Sequence, residues 1–138
     1  MFFRFILSIS IIFLGLSGLA FDTFAQDAPE YDLGIRNQDV AFSSTRLVAG
    51  QNIVIYAAAR NFGKKDVIGY ISFYQGDNLI GDTQGVSVKA GGLPDDVFVN
   101  FIVPSGAFNV RVEVKGQAPR DDNPANDTAV TAMITPES

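Results

Sequence analysis

The residues best suited to binding a ligand lie in an acidic segment near the carboxyl end of the chain. Five side chains that carry oxygen ligands fall within seven consecutive positions: Asp121, Asp122, Asn123, Asn126 and Asp127. Ca²⁺ prefers such carboxylate and amide oxygens and takes about six to eight of them. The spacing differs from that of an EF-hand loop, and Asn and Asp also form solvated turns that hydrogen-bond their own backbone. The segment predicts either a calcium site, which would be the chain's single cofactor, or a structural turn.

Three aromatic residues can supply a binding surface of a different kind. Tyr70 and Tyr74 lie in one predicted strand, and Phe98 lies in another. Aromatic side chains are enriched among the residues that anchor interfaces. They also pack across sheets and beneath loops. The sequence leaves open whether Tyr70, Tyr74 and Phe98 form an exposed surface for a protein or glycan, or belong to the packing.

The composition offers little for catalysis. The 138 residues include no His, no Cys and no Trp. These absences remove the commonest general base and metal ligand, any Cys nucleophile and the strongest stacking surface for sugars. Because no Ser-x-x-Lys pattern pairs a nucleophile with a base either, we expect no enzyme. The net charge of −5 is unfavourable for binding nucleic acid or an anionic bilayer.

The first residues have the pattern of an export signal. Arg4 gives a short positive start, an apolar run follows from residue 5 to residue 21, and Thr23 and Ala25 are small residues before a cleavage site. We expect residues 1–25 to be a signal peptide, which places the product in the periplasm, at the cell surface or in the medium. If the segment is not cleaved, it is the chain's one contact with a membrane. Residues 26–30 are polar and are expected to form a disordered lead.

A strand with one buried face lies at the centre of the mature chain. Within residues 48–63, every second side chain from Ile53 onward is apolar and falls on the same face of the strand: Ile53, Ile55, Ala57 and Ala59. Similar alternation recurs in short segments separated by Gly, Pro, Asn and Asp turns, without a helical period. About seven short strands in one domain predict an all-β fold, an immunoglobulin-like sandwich of two antiparallel sheets.

Individual strands carry more specific predictions. Near the start, Leu33 alternates with Asp32, which places the two side chains on opposite faces. Residues 79–81 and residues 83–89 are predicted as separate strands. The last strand is predicted to be formed by three alternating apolar residues: Val130, Ala132 and Ile134.

Four blocks of sequence, taken in order, resemble the CARDB family, the cell-adhesion-related domain of bacterial and archaeal surface proteins. The first block is 48–63, with Val-Ala-Gly-Gln before the strand and Asn-Phe-Gly after it. The second is 71–81, a strand and hairpin that end in Leu-Ile-Gly. The third, 90–114, begins with Ala-Gly-Gly before alternating Val and Phe, and the fourth, 123–128, is an Asn-rich turn. The resemblance covers residues 31–135, which form the predicted domain and leave 136–138 as a tail.

The resemblance implies an immunoglobulin-like fold, a role in surface attachment or spacing, and no catalytic residue. We therefore expect an exported, non-catalytic binding or adhesion module of the bacterial or archaeal envelope. Its partner would be an envelope protein or a glycan, contacted through loops or a sheet edge. The alternative is a periplasmic chaperone or inhibitor that adds an edge strand to a client protein.

Overall fold

The computed structural model describes residues 28–117 and 123–138. The predicted signal peptide, residues 1–25, and the candidate ligands Asp121 and Asp122 lie outside the described residues. Within the two described ranges, no helix is long and apolar enough to cross a membrane.

The described residues form eight strands, which are β1 (Leu33–Gly34), β2 (Val40–Phe42), β3 (Asn52–Asn61), β4 (Val67–Gln75), β5 (Asn78–Val88), β6 (Asp95–Ile102), β7 (Arg111–Gly116) and β8 (Thr128–Val130). A single 3-10 turn, Asn37–Asp39, lies between β1 and β2, and a second, Pro124–Asn126, lies just before β8. All pairs within the sheets are antiparallel. The predicted all-β class with two antiparallel sheets is confirmed.

β3 is the centre of the first sheet, as its alternation predicts. β6 pairs along one side of β3, from Asn52 opposite Ile102 to Ala59 opposite Asp95. The short strands β1 and β2 pair in succession along its other side. The second sheet has the strand order β5-β4-β7-β8.

The hydrophobic core lies between the two sheets. The four β3 residues predicted to face inward are each at most 1% exposed: Ile53, Ile55, Ala57 and Ala59. Alternate residues of β4, β6 and β7 pack against them in the core: Val67, Ile71, Phe73, Val97, Val99, Phe101, Val112 and Val114. The period-two pattern therefore identified the buried face of β3 correctly.

Residues 79–81 and 83–89 do not form two strands, because β5 continues through them. Ile71 pairs with Gln84 and Phe73 pairs with Ile80, which leaves residues 81–83 opposite Ser72. Gly81 has a φ of +64°. A glycine with positive φ lets a strand bulge and then continue. The prediction of two strands was wrong, because these residues form a bulge within one strand.

The last strand is shorter than predicted and has the opposite phase. Ala129 is 1% exposed, whereas Val130 is 42% exposed. Beyond β8, the chain leaves the strand and pairs again at Ile134, which exchanges two backbone hydrogen bonds with Phe108, at 2.9 and 2.7 Å. β8 thus contains Val130 but not Ala132 or Ile134, and the prediction of one strand through all three residues was wrong.

The domain's two terminal segments are attached at opposite ends of β3. Just beyond the last residue of β3, the Lys65 N–H donates to the Glu30 carbonyl at 2.9 Å. Just before its first residue, the Glu137 N–H donates to the Leu47 carbonyl at 2.9 Å, and the Ala49 N–H donates to the Glu137 carbonyl at 2.8 Å. The chain thus enters the sandwich at one end and leaves it at the other.

The long edge strands β5 and β6 run beside each other and close one side of the sandwich. Gln84 Nε2 donates to the Phe98 carbonyl at 2.8 Å. The Ser87 N–H donates to Asp95 Oδ2 at 3.0 Å. Side chains thus satisfy backbone groups that an edge strand otherwise exposes.

Candidate functional site

Two of the predicted aromatic residues lie on the outer face of the second sheet. In β4 the inward Ile71 and Phe73 alternate with the outward Tyr70, Ser72 and Tyr74. Tyr70 is 40% exposed. Side chains four residues apart in a strand are separated by about 13 Å. The two tyrosines therefore stand apart with Ser72 between them.

A polar floor connects the two tyrosines. In the register of the sheet, Ser72 lies opposite Glu113 of β7, and Glu113 lies opposite Thr128 of β8. These residues line an open groove of about 450 Å³, which we name the Tyr70–Tyr74 groove; its lining is Tyr70, Ser72, Tyr74, Thr83, Glu113, Val114, Lys115, Asp127 and Thr128. The groove combines aromatic walls with hydroxyl and charged groups.

The β5 bulge helps to form the groove. Thr83 belongs to the bulged segment, and its Oγ1 lies 2.7 Å from Ser72 Oγ. The side chain of Thr83 thus reaches the floor from the neighbouring strand. Sequence analysis missed Thr83, because its place depends on a bulge that was predicted as a break between strands.

Arg111 orients one wall of the groove and balances its charge. The guanidinium lies over the Tyr74 ring, with Cζ 4.7 Å from the ring centroid. Its Nε donates to Glu113 Oε1 at 2.9 Å, and Nη1 donates to the Gly76 carbonyl at 3.2 Å. These three contacts fix the side chain against Tyr74 and place a positive charge beside the Glu113 carboxylate.

Phe98 lies away from this groove. It projects from β6 on the outer face of the first sheet, where it is 57% exposed. Its neighbour there is Tyr56, with ring centroids 6.4 Å apart. Tyr70, Tyr74 and Phe98 therefore do not share one face, because their strands belong to different sheets.

The described part of the acidic segment forms the turn before β8. Asn123 caps the 3-10 turn, since its Oδ1 accepts from the Ala125 N–H at 3.3 Å. Asp127 follows the turn and lines the Tyr70–Tyr74 groove. Over residues 28–117 and 123–138, no group of three or more His, Cys, Asp or Glu side chains is placed to hold a metal.

Asp32 is a polar residue of this region that sequence analysis missed. It is 2% exposed, although the alternation around Leu33 predicts that it faces away from the core. Its Oδ2 accepts a hydrogen bond from Asn123 Nδ2 at 3.2 Å. Since the two residues are 91 positions apart, no local pattern signals this contact.

The groove's chemistry is suited to binding. A tyrosine ring offers an apolar face and a polar hydroxyl. The hydroxyls of Ser72 and Thr83 are hydrogen-bonded to each other, and neither is basic enough to activate the other as a nucleophile. The groove therefore offers ring stacking and hydrogen bonding to a ligand.

Comparison with known proteins gives a match in structure. No protein-family model matches the sequence, and no curated protein is significantly similar to it. The crystal structure of a CARDB domain from Pyrococcus furiosus, solved in complex with di-metal ions, superposes with a TM-score of 0.64. The match covers 79% of this chain and 90% of that chain, at 13% identity. This chain has the CARDB fold.

A second structure agrees with this assignment. The solution structure of the Pyrococcus furiosus CARDB domain gives a TM-score of 0.61 at 14% identity, covering 79% of this chain and 97% of that one. The CARDB fold that the four sequence blocks predict, an immunoglobulin-like sandwich, is therefore confirmed. It extends over nearly the whole of the Pyrococcus domain.

Proposed function

We propose that the chain is an exported, non-catalytic adhesion module of the bacterial or archaeal envelope, and that it binds a glycan in the Tyr70–Tyr74 groove. The observation that carries the proposal is the groove itself, in which two tyrosines stand on either side of a hydroxyl-bearing floor. The CARDB fold supports the adhesive role, and the predicted signal peptide supports export.

The groove's chemistry favours a neutral, hydroxyl-rich ligand. The faces of a sugar ring carry C–H groups that stack on an aromatic ring, while its hydroxyls both donate and accept hydrogen bonds. Ser72 and Thr83 supply neutral partners for those hydroxyls. Arg111 and Lys115 offset the carboxylates of Glu113 and Asp127. This charge balance gives an anionic or cationic ligand no net attraction.

Binding to polysaccharides tests the proposal. The full chain is run in native gels that contain a soluble neutral polysaccharide, and is sedimented with chitin, cellulose and peptidoglycan. We expect binding to at least one of them. Tyr70→Ala and Tyr74→Ala are each expected to weaken it about 30-fold, the loss of a hot-spot side chain worth about 2 kcal/mol.

Tyr56→Ala is the matched control for these variants. Tyr56 has nearly the same exposure as Tyr70, 44% against 40%, but lies on the other sheet. Binding should survive this change. The proposal fails if no polysaccharide is bound, or if Tyr56→Ala weakens binding as much as Tyr70→Ala.

The rival function, strand addition to a client protein, has less support from the sheet edges. The two long edges, β5 and β6, are bonded to each other's side chains through Gln84 and Asp95. The remaining edge strands, β1, β2 and β8, have only two or three residues each. Strand addition requires a row of accessible backbone groups, and short or covered edges offer few.

A further inference from the structure

The two tyrosines of the Tyr70–Tyr74 groove stand too far apart to contact one small ligand together. Tyr70 and Tyr74 lie four residues apart on the outer face of β4, which separates their positions by about 13 Å along the strand. A single sugar ring is shorter than this distance, so it can stack on only one of the tyrosines at a time. A ligand that uses both rings must therefore extend along β4.

The two ends of the groove differ in the space around each ring. At Tyr74, the Arg111 guanidinium on β7 lies over the ring, with Cζ 4.7 Å from the ring centroid, and Leu79 is the cross-strand neighbour on β5. At Tyr70, the cross-strand neighbour on β5 is Gly85, where an added Cβ would have no atom within 4 Å. The Tyr74 ring is thus held by its neighbours, whereas the Tyr70 ring is open on the side of β5.

The floor between the two rings carries small polar side chains. Ser72 lies midway between them on β4, and its Oγ is 2.7 Å from Thr83 Oγ1. Glu113 lies opposite Ser72 on β7, and its Oε1 accepts from Arg111 Nε at 2.9 Å. Hydroxyl and carboxylate oxygens accept hydrogen bonds from the hydroxyls of a sugar. The floor therefore offers hydrogen bonds between the two stacking positions.

We propose that the groove binds a linear, neutral oligosaccharide chain that lies along β4 and stacks on both tyrosines, and that Gly85 admits this chain beside Tyr70. The inference rests on the glycan binding proposed above and adds to it the form of the ligand. Because the groove is open along the sheet surface, the chain can enter it from the side, and internal sugar residues are bound as well as terminal ones.

Sugars of increasing length test this inference. The full chain is titrated by isothermal calorimetry with the mono-, di- and hexasaccharides of the cellulose and chitin series, or of a size-separated hydrolysate of any other polysaccharide that retains it. We expect the hexasaccharide to bind about 30-fold more tightly than the disaccharide, because only the longer chain gains the contact with a second tyrosine. In Tyr70→Ala the hexasaccharide should lose this advantage, while the disaccharide still binds at Tyr74.

Gly85→Val separates a role in binding from a role in folding. A valine opposite Tyr70 packs against its ring, and such pairs of β-branched and aromatic side chains stabilise sheets, so thermal stability should be unchanged or higher. Because the same valine fills the open side of Tyr70, hexasaccharide binding should fall about tenfold, a partial loss of one anchoring contact. Gly106→Val is the matched control, since Gly106 is also exposed and also has no atom within 4 Å of an added Cβ, but lies outside the groove.

The outcomes distinguish this inference from glycan binding itself. If no polysaccharide is bound, both are overturned. If polysaccharides are bound through the tyrosines but the hexasaccharide binds no more tightly than the disaccharide, glycan binding stands and the extended ligand is refuted. A folded Gly85→Val variant that binds the hexasaccharide as tightly as Gly106→Val does refutes the role of Gly85.

Discussion

Asp39 shows how a single ion pair links stability to pH. Its side chain is 4% exposed and accepts hydrogen bonds from Arg60, with Nη2 2.7 Å from Oδ1 and Nε 2.8 Å from Oδ2. The Arg36 N–H adds a third at 3.1 Å. Burial alone would raise the pKa of Asp39, but these hydrogen bonds and the positive charge of Arg60 outweigh it and hold the pKa below its ordinary value of 3.8.

The expected consequence is a loss of stability in acid. Because the native pKa of Asp39 is depressed, the pair stabilises the fold fully above the unfolded pKa, and this contribution disappears as the pH falls through the native pKa. Asp39→Asn should therefore melt at a lower temperature than the unaltered chain at pH 7, and the difference should close below about pH 4. Thermal melts followed by circular dichroism from pH 7 to pH 2 measure it; a difference that stays constant over this range would contradict the assignment.

For single residues, the sequence predicts those side-chain positions that a local pattern determines. Tyr70 and Tyr74 were correctly associated, because two residues four apart in one strand must share a face. Phe98 was wrongly grouped with them, because strand alternation does not say which sheet a strand joins. Asp32 was missed, because its burial depends on Asn123, a residue distant in sequence.

At the scale of elements, two glycines show how closely neighbouring strands pack. Gly69 lies where an added Cβ would overlap the Lys115 carbonyl oxygen and come within 2.5 Å of Leu33 Cδ2. Gly85, opposite Tyr70 on β5, has no atom within 4 Å of such a Cβ. The two glycines are therefore in neighbouring strands but in very different surroundings.

Gly69→Ala should destabilise the chain by about 1 to 3 kcal/mol, the typical cost of overpacking a close contact. Gly85→Ala should leave stability unchanged or slightly higher, because alanine restricts the unfolded chain more than glycine does. Urea unfolding of both variants measures the two free energies. Equal losses would show that the close approach at Gly69 does not constrain the sheet.

The bulge in β5 explains why element boundaries were harder to predict than element faces. Val86 and Val88, two apart in the segment predicted as a strand, both face inward and are less than 5% exposed. Gly81 resembles a turn residue in sequence, yet its positive φ serves a bulge, because the pairing with β4 that stops after Ile80 resumes at Gln84. Whether a glycine ends a strand or bends it is decided by the partner strand.

At the scale of the whole molecule, the C-terminal segment connects the two sheets. Ile134 is half-buried and packs against the core, and the chain continues to Glu137, which pairs with residues 47–49 just before β3. Ile134→Ala is expected to cost about 1 to 2 kcal/mol, in proportion to the apolar surface that it removes from the core. Its neighbour Met133 is 66% exposed, so Met133→Ala should be nearly neutral in the same urea titration. A loss at Met133 equal to that at Ile134 would refute this packing role.

The overall sandwich was predictable because seven of its segments alternate, whereas the way the sandwich closes was not. The side-chain contacts between β5 and β6 join residues such as Gln84 and Phe98, whose proximity arises only when the sheets stack. The path of the C-terminal segment likewise depends on a distant residue, because Ile134 pairs with the backbone of Phe108. Long-range arrangements of this kind have no signature in a local pattern.

The attachment of the chain's entry and exit at opposite ends of β3 has a mechanical consequence. β3 has ten residues, so its two ends, near which the terminal segments are attached, are about 30 Å apart. Tension between residues 30 and 137 would pull nearly parallel to β3, loading its hydrogen bonds to neighbouring strands in shear. Bonds loaded in shear must break together, whereas bonds that are peeled open break one at a time. A domain with this geometry would resist such tension with many β3 hydrogen bonds at once.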